Sequence, residues 1–96
     1  MPLFDWDPDK NALNQRKHKI RFEDAIKIFA NEDALVTKFN RIEKGEERWQ
    51  STGKVTNDAN DVILVIHTIE ENGTEFYRII SARKLKPHER RKHGYH

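Results

Sequence analysis

The chain has 96 residues, of which 35% are apolar and 35% are charged, and it contains no cysteine. A chain of this length and composition predicts one domain, residues 1–96, with a modest core and a heavily solvated surface. The lack of cysteine excludes disulfides, thiolate nucleophiles and Cys-ligated metal sites. No apolar run approaches the roughly 20 residues of a membrane span, and the first residues show no signal-peptide pattern, so we expect a cytoplasmic protein with no membrane partner.

Charge is unevenly distributed along the sequence. Residues 78–96 contain seven Lys or Arg and a single acid, Glu89, whereas residues 1–77 contain eleven Lys or Arg and fifteen acids. A basic end on a near-neutral chain suits a polyanion such as RNA or DNA, because counterion release favours phosphate contacts. A solvated surface helix would give the same count, so charge alone leaves both interpretations open.

The first third of the chain predicts a strand followed by two helices. Leu3 to Trp6 is typical of a short strand, and the acids around Pro8 can cap a helix that ends in basic residues at 16–18. Apolar residues then recur at i, i+3, i+4 and i+7, which predicts a second helix with one core-facing stripe. The stripe consists of Phe22, Ala25, Ile26 and Phe29.

The remainder predicts four further strands and a closing helix. Strands are expected over 34–39, 47–55, 62–69 and 74–81, and the continuous aliphatic run at 62–69 indicates a central strand buried on both faces. An Asn-Gly step before the last strand predicts a hairpin, and residues 85–93 predict a helix. The order gives an α+β fold, an antiparallel sheet of about four to five strands with two N-terminal helices and one C-terminal helix.

The histidines are the first candidates for chemistry. His88 and His93 are five residues apart, about 140° around a helix, so they cannot share a metal as an i, i+4 pair does. We expect no metal and no cofactor. His67 interrupts the central apolar strand, where it is either a proton-transfer group or a core histidine whose hydrogen bonds are satisfied.

Arginines and aromatics supply further candidates. Strict alternation places Arg78 and Arg83 on opposite faces of the last strand unless that strand ends or bulges near Ala82. Guanidinium groups bind phosphate bidentately and can stabilise a phosphoryl transition state. Arg48 beside Trp49 offers phosphate binding and base stacking, although such a tryptophan is more often part of a core.

Six fragments in order resemble one known family. They are F-D-W-D-P-x-K-x-x-x-N at 4–14, R-K-H-K-I-x-F-E-D-A at 16–25, G-E-E-R-W at 45–49, V-I-H-T at 65–68, R-I-I-S-A-R-K at 78–84 and E-R-R-K at 89–92. Together they cover nearly the whole chain and are similar to the BrnT family of toxins from bacterial type II toxin–antitoxin systems. The family pattern maps onto Lys17, His18, Arg48, Trp49, His67, Arg78, Ser81, Arg83, Glu89 and Arg90.

The resemblance implies a RelE-like fold and a ribonuclease toxin that inhibits translation and growth. It also implies a BrnA-like antitoxin partner, possibly in a 2:2 complex, with DNA contacted only through the antitoxin. Our hypothesis is metal-independent cleavage of RNA through attack by the 2′-hydroxyl, which gives a 2′,3′-cyclic phosphate. The residues assigned to catalysis are Arg78, Arg83, His67 and His18, and those assigned to RNA binding are Lys17, Arg48, Trp49, Ser81, Lys84, Lys86, Arg90 and Arg91.

Two other classes of function remain open from the sequence. A non-catalytic nucleic-acid-binding module would explain the basic end and would bind in a salt-dependent way without forming a product. A protein-interaction module would use the closing helix to hold an acidic or amphipathic partner.

Overall fold

A computed structural model describes residues 2–55 and 61–95. The helices are α1 (Pro8–His18), α2 (Phe22–Ala25) and α3 (Pro87–Lys92), with 3-10 helices at Ile26–Ala30 and Glu32–Ala34. The strands are β1 (Leu3–Trp6), β2 (Val36–Glu43), β3 (Glu46–Lys54), β4 (Val62–His67), β5 (Glu70–Glu71) and β6 (Glu75–Lys84). No helix in this described part is long and apolar enough to cross a membrane.

The strands form one mixed sheet in the order β1-β6-β4-β3-β2, with β5 paired to β6. The α+β class is confirmed, and β4 is central as expected. The fully antiparallel sheet was wrong, because β1 lies parallel to β6 while the other pairs are antiparallel. Parallel strands need only a connection long enough to cross over, and here nearly the whole chain between β1 and β6 provides it.

One face of the sheet is covered by the helical segment that consists of α2 and the 3-10 helix at Ile26–Ala30. Phe22, Ala25, Ile28 and Phe29 pack in one cluster with apolar residues of β4 and β6. The aromatic residues of β1 extend this cluster, since the Phe4 ring lies 5.2 Å from the Phe29 ring, centroid to centroid. The main core therefore lies between this helical segment and the sheet.

The predicted second helix differs from the observed segment. The α-helix ends at Ala25 and continues as a 3-10 helix over Ile26–Ala30. A 3-10 helix has 3.0 rather than 3.6 residues per turn, so Ile28 becomes fully buried while Ile26 is only half-buried. Ile28 lies directly over Gly53, where an added Cβ would stand 3.1 Å from the Ile28 Cβ.

The opposite face of the sheet is only partly covered. Val62, Leu64 and Leu85 form a small buried cluster there, against which Ile66 and Tyr95 pack. Helix α3 begins two residues after Leu85, and its first residue is Pro87, at the position in the first turn where proline is tolerated. We call this partly covered side the open face.

A β-bulge in β6 changes which side chains reach the open face. Ile66 of β4 pairs with Ser81, but the next residue, His67, pairs with Ile79, so Ile80 has no partner on β4. The extra residue shifts the alternation of side chains by one position. As a result Tyr77, Ile79 and Ala82 are buried, while Arg78, Ser81 and Arg83 are half-buried on the open face.

Helix α1 is held to the edge of β6 by a buried asparagine. The Asn14 side-chain amide donates to the carbonyls of Ala82 (2.9 Å) and Ile20 (3.0 Å), and its oxygen accepts from the Ala82 N–H (3.1 Å). The pairing of β1 with β6 stops at Trp6 and Ile79, so the Asn14 amide takes the place of a neighbouring strand beyond that point. This contact sets α1 alongside the second half of β6.

Candidate functional site

A basic cleft lies between the end of α1, the end of β6 and the start of α3. It has a volume of about 520 Å³. Among the described residues that line it, five cations and two imidazoles face a single carboxylate. They are Lys17, His18, Lys19, Arg83, Lys84, Lys86, His88 and Glu89. Such a concentration of positive charge in one concave surface attracts anions.

Arg83 is the guanidinium of the basic cleft. Its two terminal nitrogens each donate to one oxygen of Glu89 at 2.8 Å. This bidentate pair raises the pKa of Arg83 and, together with the hydrogen bond from the Lys86 N–H, lowers the pKa of Glu89 to about 2. Arg83 has five N–H donors and uses two of them here, and its side chain remains 37% exposed.

His18 is the imidazole that α1 contributes to the cleft. Its pKa lies below the usual 6.5, first because of burial and then because of the positive charges of Lys17 and Arg83. A histidine with a lowered pKa is neutral at pH 7 and can accept a proton. The basic cleft therefore combines a proton acceptor with a guanidinium.

A second, smaller cavity adjoins the basic cleft. It has a volume of about 230 Å³ and shares Lys17 and His18 with the cleft. The other residues that line it come from α1 and from the bulged part of β6, and they are Lys10, Leu13, Asn14, Ile80 and Ser81.

Arg78 and Arg48 belong to a separate group of ion pairs on the open face. Arg78 Nη2 donates to Glu46 at 2.5 Å, and Arg48 Nη1 donates to Glu43 at 2.9 Å. The hydrogen bond from Arg78 is the main cause of a lowered pKa at Glu46, to which the charge of Lys10 also contributes. The bulge thus puts Arg78 and Arg83 on the same face of the sheet, but each is held by a different glutamate.

His67 has the surroundings of a core residue. It is fully buried, its ring stacks on Tyr77 at 4.6 Å, and its pKa is lowered by burial. Its ring nitrogens lie 2.7 Å from Ser51 Oγ and 2.9 Å from the Thr68 carbonyl oxygen. A catalytic imidazole must reach the substrate, so the structure corrects the assignment of His67 to the reaction.

Trp49 is separated from the arginine that precedes it. Its ring packs edge to face against Phe39, at 5.7 Å between centroids, and alternation along β3 directs it away from the face that carries Arg48. The combined Arg48–Trp49 surface expected from the sequence does not form. Trp49 pairs with His67 across the sheet instead.

The basic residues at the C-terminal end occupy different positions. Lys84 and Lys86 line the basic cleft, and Lys84 also pairs with Asp61 at 3.3 Å. Arg90 donates to the Leu85 carbonyl at 3.2 Å, within its own segment, and Arg91 is exposed on α3. The four basic residues assigned to RNA binding at this end of the chain are therefore divided between the cleft and α3. Within the described residues no group of three or more His, Asp and Glu is placed to hold a metal ion.

Some residues of the site were not anticipated from the sequence. Asn14 is the last residue of the motif at 4–14. Its role in fixing α1 to β6 could not be read from that motif, because it depends on a hydrogen bond to a residue 68 positions further along the chain. Leu13 and Ile80 line the small cavity only because of that docking and of the bulge. Helix α1 is mostly polar, and its apolar residues Ala12 and Leu13 are both exposed. This polar composition was the feature of the sequence that could have indicated that α1 forms part of a binding surface.

The fold and the cleft define a class, an α+β protein that presents a cationic cleft at the edge of a mixed sheet. A family model for the ribonuclease toxin BrnT of type II toxin–antitoxin systems matches residues 6–89. The chain belongs to this family, so the family predicted from the sequence is confirmed, and with it the function of a ribonuclease toxin.

Comparison with solved structures gives an independent view of the fold. The crystal structure of the Brucella abortus ribonuclease toxin BrnT is similar with a TM-score of 0.61 and 23% sequence identity, over 90% of this chain and 99% of that one. At this identity the likeness shows a shared fold. No curated protein sequence matches the chain.

Proposed function

We propose that this toxin cleaves RNA in the basic cleft, with His18 and Arg83 as the reacting groups. The observation that carries the proposal is that a histidine with a lowered pKa and a half-exposed guanidinium line the same cleft. An RNA phosphodiester needs one group that removes the 2′-hydroxyl proton and another that stabilises charge on phosphorus.

The proposed reaction is an in-line attack that needs no metal ion. His18 takes the proton of the ribose 2′-hydroxyl while the 2′-oxygen forms a bond to the adjacent phosphorus. Arg83 stabilises the charge on the phosphoryl oxygens as the bond from phosphorus to the 5′-oxygen breaks. The leaving oxygen takes a proton from His88, the second imidazole of the cleft. The products are a 2′,3′-cyclic phosphate and a 5′-hydroxyl.

The remaining cations bind the flanking strand. Lys17, Lys84 and Lys86 line the cleft and can hold neighbouring phosphates. Ser81 lies in the adjoining cavity, and Arg78 and Arg48 provide positive charge further along the open face. Arg90, Arg91 and Trp49 are not placed around the cleft, so we assign them no contact with the reacting phosphate.

The finer family features are part of the same proposal. We infer a BrnA-like antitoxin that covers the cleft in a complex of possible 2:2 composition, and contact with DNA only through that antitoxin. We also propose a RelE-like relationship, a single-domain organisation over residues 1–96 and a cytoplasmic location. A small adjacent reading frame encoding a DNA-binding protein would support the partner.

The direct test is cleavage of RNA by the purified chain. We expect Arg83→Ala and His18→Ala each to lower kcat by about a hundredfold or more. Arg91→Ala is the matched control, since Arg91 is exposed on α3 and does not line the cleft. The 3′ product ends should carry a cyclic phosphate when analysed by mass spectrometry.

Two results would contradict the proposal. One is an Arg83→Ala chain that is folded, as judged by thermal unfolding, and cleaves RNA as fast as the Arg91→Ala chain. The other is salt-dependent RNA binding by the unmodified chain without any product, which is the behaviour of a non-catalytic binding module. Induction in a bacterium provides the cellular counterpart, with growth arrest expected for the unmodified chain and for Arg91→Ala only.

A further inference from the structure

The small cavity between α1 and the bulge of β6 combines apolar walls with a cationic end. Leu13 is 56% exposed although it lies on a helix whose surface is otherwise almost entirely polar. Ile80, the residue that the bulge releases from pairing with β4, lines the same cavity. A single exposed leucine is ordinary on a protein surface. Two aliphatic side chains lining a cavity beside a basic cleft make an apolar surface next to a phosphate-binding one.

The cavity also offers polar groups along its edge. Ser81 follows the bulged residue, and its hydroxyl can both donate and accept a hydrogen bond. Lys10, which lies about two turns before His18 on α1, contributes a charge. The shared residues Lys17 and His18 place the cavity directly beside the basic cleft.

We propose that this cavity binds the nucleobase next to the scissile phosphate, with Leu13 and Ile80 against the face of the base and Ser81 at its edge. The inference rests on the proposed function, since the cleft must hold the phosphate for a flanking base to enter. The cavity volume of about 230 Å³ is below the roughly 300–1,000 Å³ of pockets for drug-sized ligands. That size fits one base better than a larger group. The predicted ligand is a single-stranded RNA base, read by apolar contact and one hydroxyl.

The experiment compares two leucines of similar exposure. Leu13→Ala removes an apolar wall of the cavity, and Leu3→Ala is the matched control because Leu3 is 59% exposed on β1 and lines neither the cleft nor the cavity. Cleavage is measured with an oligoribonucleotide and with a version that lacks one base beside the cleaved bond. For the unmodified chain we expect removal of the base to lower kcat/KM by about tenfold, on the scale of the apolar surface that one aliphatic side chain buries.

In the Leu13→Ala chain the intact substrate should already be cleaved about tenfold less efficiently, and removal of the base should have little further effect. Leu3→Ala should behave as the unmodified chain. Ser81→Ala should change the preference among the four bases at that position more than the overall rate.

The outcomes separate this inference from the proposed function. If the unmodified chain leaves RNA intact, the proposed function fails. If it cleaves RNA and Leu13→Ala is indistinguishable from Leu3→Ala on both substrates, the base site fails while the proposed function stands. If Leu13→Ala changes only the neutralisation of the toxin by its antitoxin and not the cleavage kinetics, the surface binds protein and the base site is overturned.

Discussion

His67 lies in the core with both ring nitrogens engaged, and this fixes its tautomer. The Thr68 carbonyl can only accept, so Nδ1 carries the proton and Nε2 accepts from the Ser51 hydroxyl. Ser51 in turn lies 2.6 Å from the Thr37 hydroxyl oxygen, which can donate to it. Protonation of the ring would reverse this chain of hydrogen bonds in a buried site. The neutral imidazole is therefore part of the fold.

Stability should consequently depend on pH through His67. Its pKa in the folded chain is below 6.5, so the unfolded chain takes up the proton first as pH falls, and stability that is present above pH 6.5 is lost below it. We expect the free energy of unfolding to fall by up to about 1.4 kcal/mol per pH unit on this account. Urea unfolding between about pH 7.5 and 5 measures it.

The control is the variant His67→Gln, which cannot titrate in this range. The difference in unfolding free energy between the unmodified chain and this variant should shrink as pH falls. A difference that stays constant from about pH 7.5 to 5 would show that His67 does not carry the pH dependence.

Helix α1 shows how a helix can be attached without an apolar stripe. Its buried residue is an asparagine rather than an aliphatic residue, and three hydrogen bonds to the backbone of residues 20 and 82 hold it. The docking of α1 decides the shape of the cleft, because His18 and Lys17 lie one turn beyond Asn14.

We expect Asn14→Ala to destabilise the chain by about 2–4 kcal/mol, because it leaves buried carbonyls and an N–H without partners. Asn40→Ala is the control, since Asn40 is exposed and its side-chain amide donates to the Gln50 side chain. Its effect should be within about 0.5 kcal/mol. Both are measured by chemical denaturation. A loss below about 0.5 kcal/mol for Asn14→Ala would mean that α1 is held by other contacts.

Patterns among neighbouring residues predicted most of the helices and strands. The contacts between elements far apart in the sequence could not be predicted from such patterns. Asp7 caps α1 and Pro8 begins it as expected, because capping depends on neighbours in sequence. The β1–β6 pair and the bulge at Ile80 depend on how strands far apart in sequence align, and alternation along one strand carries no such information. The same bulge decided that Arg78 and Arg83 share a face.

A formal charge of only +2 for the full chain conceals an uneven distribution of charge. The basic cleft gathers cations from α1, β6 and the segment before α3, while residues 1–77 carry an excess of acids. Binding of a polyanion at such a surface releases counterions and weakens with salt. The charge of the cleft, rather than the net charge, should set RNA affinity.

We expect the affinity for a non-cleavable 2′-O-methyl strand to fall steeply between about 50 and 200 mM salt. Lys86→Ala should make the log–log slope shallower by about 0.7, the value for one phosphate on a single strand. Lys44→Ala is the control, because Lys44 lies in the exposed turn between β2 and β3. Equal slopes for the two variants would place RNA away from the cleft.

The Arg83–Glu89 pair makes the toxin carry its own competing anion. A carboxylate fixed within the same molecule acts as a ligand at high effective concentration, so a free chloride or phosphate ion must displace it to engage the full guanidinium fork. A nucleic acid strand contacts several cations at once, and its additional contacts offset that exchange. Competition by Glu89 would thereby weaken the binding of small cellular anions to Arg83 more than the binding of a polymeric anion such as RNA.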